Sequence, residues 1–277
     1  MAIHYASAHL LGSGGNKKPS GPKPVRLSQC KYGSMMYFPH DTYIGGSLEK
    51  YGEYNGEEMD FLLAATVENA IVVEVGANIG CHTLPLAQKV GPKGHVLAFE
   101  PQRVIHQMLC GNLALNGISN VSAERVALGN REGIIYVPPT NYNDVGNFGG
   151  VELQTTPGGE PVPLMKLDMY PLPALHLLKI DVEGMELEVL QGAETSIRKF
   201  RPLIYCENDR EDKKAALNAY LRSLDYDLYW HHPPLYRRNN YNDSPDNLFP
   251  NIVSFNMACI PKERSEQVQT NLPKVEE

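Results

Sequence analysis

Ile71-Val72-Val73-Glu74-Val75-Gly76-Ala77-Asn78-Ile79-Gly80 is the stretch on which the reading of the fold turns. Its first five residues form a nearly continuous apolar run with one acid near the end, the pattern of a strand buried on both faces. Gly76 and Gly80 then bracket a tight turn, and Ile79, Thr83, Leu86, Ala87 and Val90 recur at helical spacing. Pro85 fits a helix only in its first turn, so the helix is expected to begin near His82. Glycines at a strand-to-helix turn let a ligand approach the backbone closely. A dinucleotide site would require glycine at positions 76, 78 and 81. Positions 78 and 81 hold Asn and Cys, which disfavours NAD or FAD.

Outward from this unit, strand and helix patterns alternate. Residues 95–99, 121–126, 175–180 and 203–206 read as further strands. The helices between them are marked by Ile105, Met108, Leu109 and Leu113, by Leu187, Leu190, Ala193 and Ile197, and by Leu217, Tyr220, Leu221 and Leu224. Asn116-Gly117 supplies a helix stop. Residues 226–230 and 252–260 pair as closing strands. Crossover helices between strands imply a mostly parallel, doubly wound sheet, whose ligands bind outside the carboxyl ends of the strands. The expected architecture is therefore α/β and Rossmann-like. Residues 1–24 form a polar, Gly- and Pro-containing lead, 25–58 a short hairpin (25–38) and connector over the active site, 59–262 the main domain, and 263–277 a polar tail.

The 277 residues carry 25 Lys and Arg against 32 Asp and Glu, a formal charge of −7. That balance does not favour a nucleic-acid or anionic-membrane partner, which a basic face usually meets. Five scattered cysteines without a C-x-x-C pair make neither a disulfide framework nor a zinc site. No run approaches the length of a membrane span, and residues 1–12 lack the features of a secretory signal. The expected setting is cytoplasmic and soluble. The oligomeric state stays open, a homodimer included.

The turn's acid-x-Gly-x-Asn-x-Gly pattern resembles the first motif of Rossmann-like methyltransferases, where S-adenosylmethionine places its amino-acid end. On that resemblance Glu74 takes the ammonium, while the backbone of Gly76, Ala77, Asn78 and Gly80, with Thr83, takes the carboxylate. The second strand ends in Phe99-Glu100-Pro101, twenty residues past Gly80, which places the Glu100 carboxylate to accept both ribose hydroxyls. Pro101 and Gln102, with Val126 and Ala127 at the third strand end, border the adenine.

Farther on, Leu177-Leu178-Lys179-Ile180-Asp181-Val182-Glu183-Gly184-Met185-Glu186 resembles the signature of the FkbM family of methyltransferases. Supporting pieces follow in the family's order: Ala98-Phe99-Glu100-Pro101, Asn112-Leu113-Ala114-Leu115-Asn116-Gly117, Ala127-Leu128-Gly129, Val189-Leu190-Gln191-Gly192-Ala193 and Arg201-Pro202. Tyr51-Gly52-Glu53-Tyr54 and Asn147-Phe148-Gly149-Gly150 also resemble family members, so the likeness covers roughly residues 37–261. It implies a seven-stranded sheet (a class I methyltransferase), S-adenosylmethionine as cofactor and methyl transfer to oxygen. Family acceptors include hydroxyls of macrolides and sugars, so a small-molecule or glycan acceptor is expected.

Methyl transfer from a sulfonium is an in-line displacement that chiefly needs alignment, and a weakly nucleophilic hydroxyl gains from a base or a metal. Two assignments stay open. Asp181 or Glu183 acts as base, or Asp181, Glu207 and Asn208 form an oxygen-rich Mg²⁺ site resembling that of catechol-type O-methyltransferases. His231 and His232, after the sixth strand, are further base candidates beside Glu207. A polar excursion over residues 235–251, with Arg237 and Arg238, reads as an acceptor-binding loop. The competing functions are a nucleic-acid 2′-O-methyltransferase, for which Lys179 lacks a matching second lysine, and an inactive cofactor-binding scaffold.

Overall fold

The computed structural model describes residues 25–265 and 270–276. The expected polar lead, residues 1–24, lies outside them. The described residues open with the expected hairpin, β1 (Arg26–Cys30) and β2 (Gly33–Tyr37), followed by α1 (Ile44–Tyr51) and α2 (Gly56–Ala65). The main sheet has seven strands. At the centre of its five parallel strands is β3 (Ile71–Val75), the apolar run of the sequence. On one side follow β4 (His95–Phe99) and β5 (Val121–Glu124); on the other lie β9 (Leu177–Ile180) and β10 (Leu203–Glu207), all parallel. The last two strands, β11 (Tyr226–His231) and β12 (Asn256–Pro261), close that edge, with β12 antiparallel to both neighbours.

Alternation along β3 sends its residues to two cores. Val73 and Val75 join the layer of α5 (Glu186–Gln191), α6 (Glu194–Phe200) and α7 (Glu211–Ser223). Val72 joins the layer of α2, α3 (Thr83–Val90) and α4 (Arg103–Leu115). Each helix buries its apolar stripe on one face of the sheet, the arrangement that parallel strands require. Since β4 lies on one side of β3 and β9 on the other, the chain direction switches between β3 and β9. A cleft opens outside the carboxyl ends of the strands there. Gly76 is the reason the two strand ends can approach. Its φ is +85°, and a Cβ would sit 1.8 Å from the Asp181 carbonyl oxygen.

Three features depart from the sequence reading. The single helix expected after β9 is broken into α5 and α6 at Gly192, which packs on the Gly129 carbonyl with only 1.9 Å for a Cβ. The third strand ends at Glu124, and Ala127–Leu128 (β6) instead joins a small sheet with β7 (Gly133–Val137) and β8 (Glu160–Met165). Pro161 and Pro163 argue against β8 as a strand. It tolerates them because two-residue β6 pairs only with Leu164 and Met165, which leaves the proline nitrogens on an unpaired flank. Finally, the expected polar tail starts as a short helix, α8 (Lys262–Ser265), and residues 270–276 return along β11. There Lys274 bridges to Tyr229 and Val275 is buried.

Candidate active site

The cleft at the switch point has a volume of about 490 Å³. The turn after β3 supplies Gly76, Ala77 and Asn78, β4 supplies Glu100, and β9 and β10 supply Asp181, Glu183, Glu207 and Asp209. Tyr43, Ile44 and Tyr54, from around α1 and α2, roof it. A narrower cavity adjoins it, lined by Phe99, Pro101, Gln102, Val126, Ala127 and Met185 and sharing Gly76, Glu100 and Asp181 with the main cleft.

Glu100 is only 3% exposed, and the backbone N–H groups of Asn78 and Gln102 donate to its two carboxylate oxygens at 3.0 and 2.8 Å. Each oxygen keeps one lone pair for a ligand, so a vicinal diol is matched by a carboxylate whose orientation is already fixed. Burial pushes the Glu100 carboxyl up to about 7 against these two hydrogen bonds, with Asp181 and Glu74 adding to the rise. Gln102 is locked beside it, donating to the Phe148 carbonyl at 2.8 Å and accepting from Tyr142 at 3.1 Å. A ribose on Glu100 would thus have a flat apolar slot on one side and the glycine turn on the other. These residues fit S-adenosylmethionine.

The amino-acid end requires a correction. Glu74 and Thr83 are fully buried and bonded to each other, Thr83 Oγ1 donating to Glu74 Oε2 at 2.7 Å, and neither lines the cleft. The alternation that sends Val73 and Val75 to one core turns Glu74 toward the α2–α3 layer, beneath the turn. Gly80 likewise shapes the turn without lining the cleft.

Beneath that turn lies a group of charges. Lys179, 1% exposed, points to the same face as its sheet neighbour Glu74 and donates to Asp181 Oδ2 at 2.9 Å. Burial opposes its charge, yet Asp181, Glu58 and Glu74 raise its pKa overall. Asp181 lies deep in the cleft but remains 45% exposed to it. Burial raises its carboxyl, and the Lys179 ammonium more than reverses that, so Asp181 is held below the usual range. Glu58, from α2, is 3% exposed and pushed up to about 7 by burial, and Glu74 similarly. His82, at the start of α3, lines the cleft at 6% exposure and is pushed down to about 3, first by burial and then by Lys179.

Several expected catalytic groups are elsewhere or engaged. Glu183 lines the cleft but is clamped by Arg210 at 2.7 Å. Glu207 lines it and is pushed up to about 10 by burial and the crowding of Asp181, Asp209 and Glu183. Asn208 turns into the core, its amide donating to Asn218 Oδ1 at 3.0 Å and to Met257 Sδ, so the Asp181–Glu207–Asn208 oxygen set is not assembled. His231 is bonded to Tyr205 and packed on Phe61, His232 packs between Trp230 and Phe255, and neither lines the cleft. Both leave the edge strand β11, which β12 and β10 separate from β9 at the switch point. Arg237 is also structural. It grips Glu53 through two nitrogens and reaches Asp60, with 10% of its side chain exposed. Of the 235–251 excursion only Leu235 lines the cleft, joined by Ile252, Val253, Ser254 and Phe255 just beyond it.

The sequence assigns no site role to Glu58 or His82, and Tyr54 enters only through the family-like Tyr51–Tyr54 segment. His82 carried a usable signal, since the residue two beyond the last glycine of the turn opens the helix facing the ligand. Glu58 carried none, because its place depends on how α2 packs.

The family model described as the methyltransferase FkbM domain matches residues 74–228, from the acid of the first motif to the sixth strand. The chain belongs to the FkbM methyltransferase family. It is 33% identical over 165 residues to methyltransferase sdnD of Sordaria araneosa, covering 48% of this chain and 63% of that protein. It is 30% identical over 142 residues to the hexuronic acid methyltransferase AglP of Haloferax volcanii, covering 50% and 55%. The chain thus spans less than two thirds of the length of either curated relative. A methyltransferase FkbM of Methylobacillus flagellatus KT superposes with a TM-score of 0.48 at 19% identity, covering 70% of this chain and 44% of that one. An S-adenosylmethionine-dependent O-methyltransferase of Thermotoga maritima gives 0.49 at 11% identity, covering 86% and 77%.

Proposed function

We propose that this FkbM-family protein transfers the methyl group of S-adenosylmethionine to a hydroxyl of a small, polyhydroxylated acceptor, a sugar or natural product. The observation that carries this reading is the meeting of the Gly76 turn, the pre-oriented Glu100 carboxylate and the open Asp181 carboxylate in one cleft. When bound, the cofactor supplies an electrophilic methyl group; the rest is alignment and proton handling by this chain. Glu100 holds the ribose diol, the slot of Pro101, Val126, Ala127 and Met185 takes the adenine face, and the glycine turn faces the amino-acid end.

Asp181 receives the acceptor's proton in this scheme. Lys179 occupies its Oδ2 and keeps it ionised, while the open cleft gives an acceptor access. A weak base suffices there, because an attacking hydroxyl oxygen acquires positive charge as the new C–O bond forms and its proton becomes strongly acidic. Glu183 and Glu207 serve as polar wall, with Tyr43, Asn147 and Ser254. Among the described residues lining that wall, the one Lys or Arg is Arg210, and it is already paired with Glu183 and Glu152. An uncharged acceptor therefore suits the cleft better than a polyanion, which sets aside nucleic acid.

The test offers the protein S-adenosylmethionine with separate panels of neutral glycosides, uronic acids and RNA, and follows S-adenosylhomocysteine release and products heavier by one methyl. Methylation confined to neutral hydroxyl compounds is the expected result. Turnover of RNA alone, or no cofactor binding, would overturn the proposal.

A further inference from the structure

His82, Glu58 and Asp181 each bring one ligand-type atom to a common point, all within 4.8 Å of one another. The three come from different elements, α2, the start of α3 and the end of β9, at the inner wall of the cleft. His82 Nε2 is buried and has no hydrogen-bond partner, in a residue that is 6% exposed. An orphaned buried nitrogen costs about 1–3 kcal/mol unless something fills its place. It faces Glu58 Oε1 at 3.8 Å, too far for a hydrogen bond. Two ligands of one tetrahedral ion with bonds of about 2.1 Å are about 3.4 Å apart. The 3.8 Å between His82 Nε2 and Glu58 Oε1 lies within about half an ångström of that spacing.

The ligands are also pre-oriented, as those of metal sites are. The Asn55 and Asn256 amides both donate to Glu58 Oε2, which leaves Oε1 turned to His82. Lys179 holds Asp181 by Oδ2 and leaves Oδ1 free. Glu58, Glu74 and Asp181 face the single Lys179 ammonium, and with all three ionised they would balance a dication beside it. From this geometry we propose that Glu58, His82 and Asp181 form a site for one divalent transition-metal ion of the Mn²⁺ or Zn²⁺ class. One imidazole with two carboxylates selects such ions over Mg²⁺ or Ca²⁺, which prefer oxygen alone. The proposal rests on the methyl-transfer reading for its purpose. An acceptor hydroxyl on the ion's open face, toward the cleft, would release its proton more readily. With the ion bound, Asp181 Oδ1 would be a ligand and the proton would pass to cleft water, so Asp181 acts as the base only while the ion site is empty.

The experiment measures the ion without the cofactor. Protein stripped by chelator is dialysed against Mn²⁺ or Zn²⁺, the bound metal counted by elemental analysis and the Mn²⁺ sphere read by electron paramagnetic resonance. The wild type is expected to hold one ion per chain, with affinity at least tenfold lower in His82→Ala and in the gentler Glu58→Gln, each checked for folding by circular dichroism. No stoichiometric uptake by the wild type, or undiminished uptake by a folded variant, overturns the site. S-adenosylmethionine binding is titrated separately. Loss of cofactor binding with metal uptake intact would defeat the methyl-transfer reading and leave the ion site in place.

Discussion

Replacing Glu100 by Gln changes one atom and should change cofactor affinity steeply. In the native cleft each Glu100 oxygen accepts one backbone N–H, from Asn78 or Gln102, and keeps a free lone pair toward the ribose. The amide keeps only one of those oxygens. Its NH₂ group must oppose a backbone N–H donor, in a residue that is 3% exposed. One charge-assisted hydrogen bond to the diol is lost and the other becomes a neutral one. The net loss is about 1.5–3 kcal/mol, roughly 10- to 150-fold in Kd. Isothermal titration with S-adenosylmethionine reads this directly. The pH dependence supplies a second signature. Burial pushes Glu100 up to about 7, so the ionised form that accepts the diol best grows as pH rises. Wild-type affinity should therefore increase about tenfold between pH 6 and 8, and fall as pH drops through 7. The Glu100→Gln profile should be flatter over that interval. A folded variant that binds within threefold of wild type, with an unchanged pH profile, would refute the ribose assignment.

Asp181→Asn should lower kcat by at least a hundredfold while cofactor Kd moves little, since its role is in the transition state; retention of wild-type kcat would remove it from the mechanism. Lys179→Met leaves Glu58, Glu74 and Asp181 without their buried cation and should cost about 3 kcal/mol in urea unfolding at pH 7. A loss under 0.5 kcal/mol would mean that those carboxylates are compensated another way. Arg237→Ala strips Glu53 of its two-nitrogen clamp but leaves Lys31 at 3.3 Å, so a loss of about 2 kcal/mol is expected with cofactor affinity unchanged. A raised acceptor KM at unchanged stability would instead put Arg237 back in the acceptor site.

The sequence alone determined what local patterning can determine. The apolar run at 71–75, the Gly76–Gly80 turn and the helical stripe beyond it dictate a strand–turn–helix, and repetition of that unit dictates a parallel sheet with a cleft at the strand ends. Glu100 and Asp181 were legible for the same reason: a carboxylate ending a buried strand has nowhere else to face. Tertiary structure decided which acids reach the cleft. Glu74 stands one residue before the end of its strand, and period-two alternation sent it under the turn to Thr83 and Lys179. Asn208 fell to the core because it bonds Asn218 on α7, a partner that only helix packing brings near. Glu58 and His82 lie 24 residues apart in the chain, and the docking of α2 beside α3 makes them neighbours at 3.8 Å. Local pattern fixes the face a residue presents within its own element. What it meets there depends on how distant elements bury their apolar stripes, a global balance that a short stretch of sequence does not contain.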